Sequence, residues 1–412
     1  MTDSSPTPET SRLRLLLATM PGIVAFSMGQ TALFSVAGPV FREIGLGESQ
    51  LGLIISSAAA MFVVSSTVWG RIIDRWGRRP TILFGLLTYG SISLLFAATL
   101  QLGIEGRIAT AELFIWLLLI RLMFAAFGAG IQPASVALMA DHSAANERAA
   151  AVAMIGAGFG IGMVLGPASS ALLVGFGVLV PLYAIAVLGL FGMLLAFLYL
   201  PHDDRKARLK KTTSAKPLRV STLLLLLSGS LLVFTAMSTL QQTLAFNLQD
   251  MLQTDSEETV KLTGFCFVAI AFSTLAMQVG VIQRFKPAPQ TLLLYGVPML
   301  LIGFIVYSQA ASFTNLLVAS MLLGIGFGLT TPGITAAASV LADASEQGRI
   351  AGILQSAAAS GFIIGPIAGT TLYEIESVYA AYLATVSVSL ALGLVGLWLF
   401  QNRVALHQKS AT

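Results

Sequence analysis

Arg121 is the one charged residue that the sequence sets deep inside an apolar run. Its guanidinium stays protonated in proteins and presents five N–H donors in a planar fork, so its natural chemistry is the capture of an anion. It stands about 12 Å along its run, at 1.5 Å per residue. An ionisable group at that depth is a functional-site hypothesis by default; the plainer reading is an arginine bound to helix carbonyls. Gly128 and Gln132 follow seven and eleven residues on, so helical spacing sets all three on one face. Gln30 in the first run and Gln241 and Gln242 in the seventh lie among Ser27, Thr31, Thr235, Ser238 and Thr239. Each hydroxyl alone is most simply bonded to its own backbone. The glutamines are harder to explain that way, and Gln30, Gln132, Gln241 and Gln242 join Arg121 as candidate substrate ligands.

A second constellation is Gly70-Arg71-Ile72-Ile73-Asp74-Arg75-Trp76-Gly77-Arg78-Arg79-Pro80, five charges in eleven residues between two apolar runs. Arginine costs about 2.5–3.5 kcal/mol at the bilayer centre, so this turn stays on one side and fixes which side. Asp74 is not needed for that. A carboxylate there can stabilise the positive end of a neighbouring helix or pair with arginine. A third is Gly158, Gly162, Gly166 and Pro167, echoed by Gly365 and Pro366. Small residues at this spacing let helices approach, and the prolines bend them, shaping a cavity wall and a gate.

Other chemistries are excluded. No GxxxxGK[ST] occurs, and the glycines at 156, 158 and 160 do not form a nucleotide loop, so the chain is not an ATP-driven pump. The single Cys266 and the loop histidines His142, His202 and His407 offer no disulfide or metal framework. No cofactor is expected. No nucleophile or acid pair falls within the runs, so an enzyme is not expected either.

The elements that position these residues follow from composition. The 412 residues are 56% hydrophobic and 10% charged, with mean hydropathy +0.85, against about 25% charged in a soluble domain. The apolar runs reach about 20 residues, enough to span a bilayer as helices. Twelve spans are expected, near 13–40, 51–73, 80–101, 113–140, 149–175, 178–200, 220–248, 260–282, 290–310, 314–341, 349–373 and 378–401. Residues 1–12 read as a disordered tail, 13–200 as one six-helix bundle, 201–219 as a basic linker, 220–401 as a second bundle and 402–412 as a tail. With the N-terminus in the cytoplasm, only Arg42, Arg107 and Lys261 of the 23 Lys and Arg fall outside, and Arg121 lies within a span. That bias puts both termini in the cytoplasm. The linker's cations suit anionic lipid at that face.

The halves also repeat. Gly128–Ala150 and Gly326–Gly352 are alike, as are Gly162-x-x-x-Gly166-Pro167 and Gly361-x-x-x-Gly365-Pro366. Tandem six-helix repeats are the pattern of a transporter whose site lies near the midplane. None of the 19 acids lies deep in a span, so a cavity with one arginine favours anionic or zwitterionic cargo. Glu112, Asp250, Glu374 and Asp74 stay open as proton carriers.

On these motifs the chain resembles the major facilitator superfamily, in its twelve-span drug:proton antiporter branch. Gly70-x-x-x-Asp74-Arg75-x-Gly77-Arg78-Arg79 is similar to that family's loop between spans 2 and 3. The segment Gly162–Pro167 is similar to its span-5 antiport motif, with Ser169 and Ser170 where a glycine pair is usual. Arg121, twelve residues before Pro133, stands where the family has its span-4 arginine. The resemblance implies that Asp74 docks on the start of span 11 in the outward-facing state and that loop arginines pair with an acid at the end of span 4, here Asp141. Gly70, Asp74, Arg75, Arg78, Arg79 and Asp141 are thus a candidate latch.

The fold class expected is an all-α membrane protein with twelve transmembrane helices in two six-helix pseudo-repeats. The function expected is proton-driven export of a small amphipathic or anionic compound, a drug or a metabolite such as a siderophore, by alternating access. The resemblance places it in the bacterial cytoplasmic membrane. Its partners would be a small-molecule substrate and protons, with no nucleic acid, in a monomer. The rival of the same fold is an uptake symporter or facilitator; the rival of another class is a non-transporting receptor.

Overall fold

A backbone in hydrocarbon must satisfy its own N–H and C=O groups, so each apolar run becomes a helix. The computed structural model describes residues 8–143, 147–201, 220–340 and 346–410. Among them, 12 helices are long and apolar enough to cross a membrane, and no strand occurs. In chain order, spans 1–6 are Leu15–Glu43, Glu48–Trp76, Arg78–Ile104, Thr110–Asp141, Ala150–Phe176 and Val180–Tyr199. Spans 7–12 are Leu223–Leu252, Ser256–Gln283, Pro289–Ser308, Phe313–Val340, Arg349–Ile375 and Ser377–Gln401. The linker expected to meet anionic lipid lies almost wholly outside the described residues.

Four local features differ from the sequence reading. The basic stretch is not an open turn: the span-2 helix runs through Trp76, Gly77 breaks it at φ 95°, and the next helix begins at Arg78. Only glycine adopts that φ without strain. Span 4 is two helices, Thr110–Gly128 and Ile131–Asp141. Pro133 has no N–H for the carbonyl of Ala129, which weakens the ladder there. Span 8 ends in a π-helical turn, Met277–Gln283. The first helix begins at Pro8 and the last runs to Ser410, so parts of both expected tails are helical. Proline suits the first turn, where its missing N–H has no helical partner to lose.

The chain divides into two compact units, Met1–Leu46 with Ser57–Lys210, and Gly47–Ser56 with Lys211–Thr412. Inside the first, span 1 packs on spans 5 and 6, and span 3 on spans 4 and 6. Inside the second, span 7 packs on spans 11 and 12, and span 9 on spans 10 and 12. Spans 1, 3, 4, 5 and 6 thus pair as spans 7, 9, 10, 11 and 12 do, and span 8 packs in addition on span 10. The second unit also holds Gly47–Ser56: the Ser49 N–H donates to Glu374 Oε2 at 3.0 Å, and the Ile367 N–H to Ser56 Oγ at 3.0 Å.

Candidate functional site

Arg121 sits inside the first unit, 9% exposed. Its Cζ lies 4.4 Å from the centre of the Phe124 ring and 5.8 Å from that of Phe96. Phe124 is one helical turn along the same span, so the stacking is set by spacing alone. The Arg121 Nε is buried without a hydrogen-bond partner, and no hydrogen bond or ion pair of this residue occurs among the described residues. Arg121 lines a cavity of about 30 Å³ shared by spans 1, 3, 4 and 6. Tyr89 forms one wall. Its hydroxyl donates to the Ala25 carbonyl at 2.6 Å. It can reach because span 1 has Gly29 there: a Cβ on Gly29 would collide with the Tyr89 hydroxyl, and one on Gly189 would lie 2.5 Å from its ring.

The repeat makes Arg121 singular. An offset of 199 residues carries Pro133 to Pro332, Gly162 to Gly361, Gly166 to Gly365 and Pro167 to Pro366, and it carries Arg121 to Ser320. The second unit therefore has a hydroxyl where the first has a charge.

The structure does not gather the four glutamines at Arg121. None lines its cavity. Gln30 is half-buried and follows Gly29, so it is turned about 100° away around the helix. Gln132 is half-buried beyond the break at Ala129–Gly130, so the shared face with Arg121 does not continue as one helix face. Gln241, half-buried with Oε1 unpartnered, and Gln242, 4% exposed, belong to the second unit. Tyr89, Ser93, Phe96 and Phe124 do line the cavity, and the sequence reading missed them. Only the Phe124 spacing gave a signal.

The basic stretch splits by role. Arg78 Nε is 3.0 Å from Asp141 Oδ2, with side chains 17% and 53% exposed. Its N–H is not aligned on that oxygen, so the pair is held by charge more than by a directed bond. Arg79 Nη2 donates to the Phe197 carbonyl at 2.9 Å, in the last turn of span 6, where a cation suits the helix dipole. Gly70 is exposed with open space around it. Asp74 and Arg75 are exposed and make no ion pair among the described residues.

The glycine motif is a helix contact. A Cβ on Gly158 would lie 2.7 Å from Met20 Sδ; one on Gly162, 2.5 Å from the Val24 carbonyl oxygen; one on Gly166, 2.6 Å from that of Met28. Ser27 Oγ donates across this seam to the Phe159 carbonyl at 2.6 Å. In the second unit Gly361 and Gly365 meet span 7 in the same way, and Ser238 Oγ donates to the Gly361 carbonyl at 2.9 Å. Pro167 and Pro366 sit within helices that continue past them.

Twelve apolar helices among the described residues, in a repeated six-helix plan with a buried arginine and paired glycine seams, are the architecture of a multi-pass membrane transporter. The family model described as Major Facilitator Superfamily matches residues 19–308 and 291–412. The chain belongs to the major facilitator superfamily. It is 24% identical over 412 residues to Multidrug resistance protein 1 of Bacillus subtilis (strain 168), covering 97% of this chain and 98% of that one. It is 25% identical over 361 residues to the multi-drug resistance efflux pump PmrA of Streptococcus pneumoniae serotype 4, covering 84% and 86%. Among solved structures it is similar to a bacterial homologue of the human lysosomal transporter Spinster, inward-facing and occupied, at TM-score 0.69 and 16% identity, over 97% of this chain and 98% of that one. A bacterial homologue of the iron transporter ferroportin, inward-facing, gives TM-score 0.71 and 18% identity over 94% and 98%. The structural likenesses speak to fold; the relatives' names speak of multidrug resistance and, for PmrA, of multi-drug efflux.

Proposed function

We propose that this protein is a proton-driven exporter of a small amphipathic or anionic compound, working as a monomer by alternating access. The observation that carries the anionic preference is Arg121, a buried guanidinium with no carboxylate to answer it. Export is supported by the efflux names of the curated relatives. The test uses inverted membrane vesicles with the interior acidified. Accumulation of an anionic fluorescent compound that collapses with a protonophore is the expected result. Accumulation indifferent to the gradient, or driven only by the opposite one, contradicts it.

The same reading gives the basic stretch a moving part. Arg78–Asp141 and Arg79–Phe197 tie it to spans 4 and 6. Asp74, exposed here, is the member available to dock on a helix N-terminus in another conformation. Spin-label distances that stay unchanged in Asp74→Asn, with unchanged transport, would remove that role. The loop cations also favour both termini in the cytoplasm, with anionic lipid around them.

A further inference from the structure

Among the described residues the Arg121 guanidinium has two aromatic rings against it and no hydrogen-bond or ion-pair partner. A desolvated cation–π contact stabilises a cation only modestly. Removing a charge from water without a partner costs several kcal/mol, so the two rings, at 4.4 and 5.8 Å, offset only part of it. The cavity that the guanidinium borders measures about 30 Å³. On that measure a water-sized group needs about 10–15 Å³. The space beside Arg121 therefore takes a group of about one to three heavy atoms. A second donor faces it: Ser93 lines the cavity, and its hydroxyl makes no hydrogen bond among the described residues. The other walls are aliphatic or aromatic, and ring edges carry partial positive charge. No carboxylate lines the cavity. Along span 4 the acid before Arg121 is Glu112, about 13 Å away along the helix. A full positive charge and a free hydroxyl, facing a space of this size, match one kind of ligand.

We propose that this cavity is a binding site for one compact anionic group, either a free small anion such as chloride or the carboxylate tip of a larger molecule whose body stays outside. The site belongs to the first unit alone, since Ser320 stands at the repeat position of Arg121. It deepens the reading of Arg121 as anchor of an anionic cargo, and it rests on that reading only where the carboxylate is the cargo's own.

The test uses purified full-length protein, with radioactive chloride and formate as probes in equilibrium binding. Ionic strength is held constant with hexafluorophosphate, an anion too large to enter and without a protruding carboxylate, and melting curves are taken in the same salts. Saturable binding near one anion per chain, with a raised melting temperature, is expected. Arg121→Gln should weaken it by about tenfold or more, as loss of a charged hydrogen-bond partner does. Ser93→Leu fills the cavity and leaves Arg121 in place; it should weaken binding equally, and it decides the matter if Arg121→Gln does not fold. Chloride and formate binding together mark a free-anion site. Formate binding without chloride marks a carboxylate socket. No saturable binding of either, or binding unchanged in Ser93→Leu, overturns the proposal. Saturable binding in a protein that carries only cations keeps the site and ends the anionic-cargo reading. Anionic transport without saturable binding does the reverse.

Discussion

Three side-chain positions can be tested alone. Arg121→Met keeps the length of the side chain and removes the charge. If cargo reaches the guanidinium, KM for an anionic compound should rise about tenfold to hundredfold, because a hydrogen bond to a charged group contributes about 1.5–3 kcal/mol. Transport kinetics in vesicles read that directly. At Gly77 the backbone stands at φ 95°. Gly77→Ala should cost about 1–2 kcal/mol through left-handed strain, seen as a lowered melting temperature in detergent. Ser27→Ala removes the 2.6 Å bond to the Phe159 carbonyl. An interhelical bond of this kind in a membrane protein averages about 0.6 kcal/mol, so the loss should be small and measurable only against unaltered protein.

Between elements, the glycine seam makes a sharper contrast. A Cβ on Gly162 meets backbone of span 1, which cannot swing aside, whereas Gly156 has nothing within 4 Å. Gly162→Val should destabilise by about 1–3 kcal/mol and Gly156→Ala should not, in paired melting curves. The Arg78–Asp141 pair is partly exposed, so a double-mutant cycle should give about 1 kcal/mol or less of stability. How much of this the residues announced varies by element. The twelve spans were legible because 20-residue apolar runs have no other stable form. A close helix approach at span 5 was expected from the spacing of Gly158, Gly162 and Gly166, but not that span 1 is the partner. The break at Ala129–Gly130 was masked, since an apolar run with one proline also reads as a bent continuous helix. The π-turn at Met277–Gln283 left no mark, because a glycine such as Gly280 is common in regular membrane helices too. Arg121 was found from its depth. Its isolation from Gln30 and Gln132 was not, because periodicity gives a face of one helix and not what packs against it.

On the scale of the whole molecule, the placement of charge predicts sidedness and its scarcity in the spans predicts cargo. In a Cys266→Ser background, Arg107→Cys should be labelled by a membrane-impermeant maleimide in intact cells, and Arg75→Cys only after lysis. The reverse pattern would invert the topology proposed above. The cargo argument rests on one buried cation and no deep acid, and it meets its most direct test in reconstituted vesicles under an imposed pH gradient. The compounds are a matched pair sharing one ring system, one ending in a carboxylate and the other in an ammonium. The carboxylate should be transported by unaltered protein and lost with Arg121→Met. Transport of the ammonium alone, with Arg121→Met as active as unaltered protein, would contradict it.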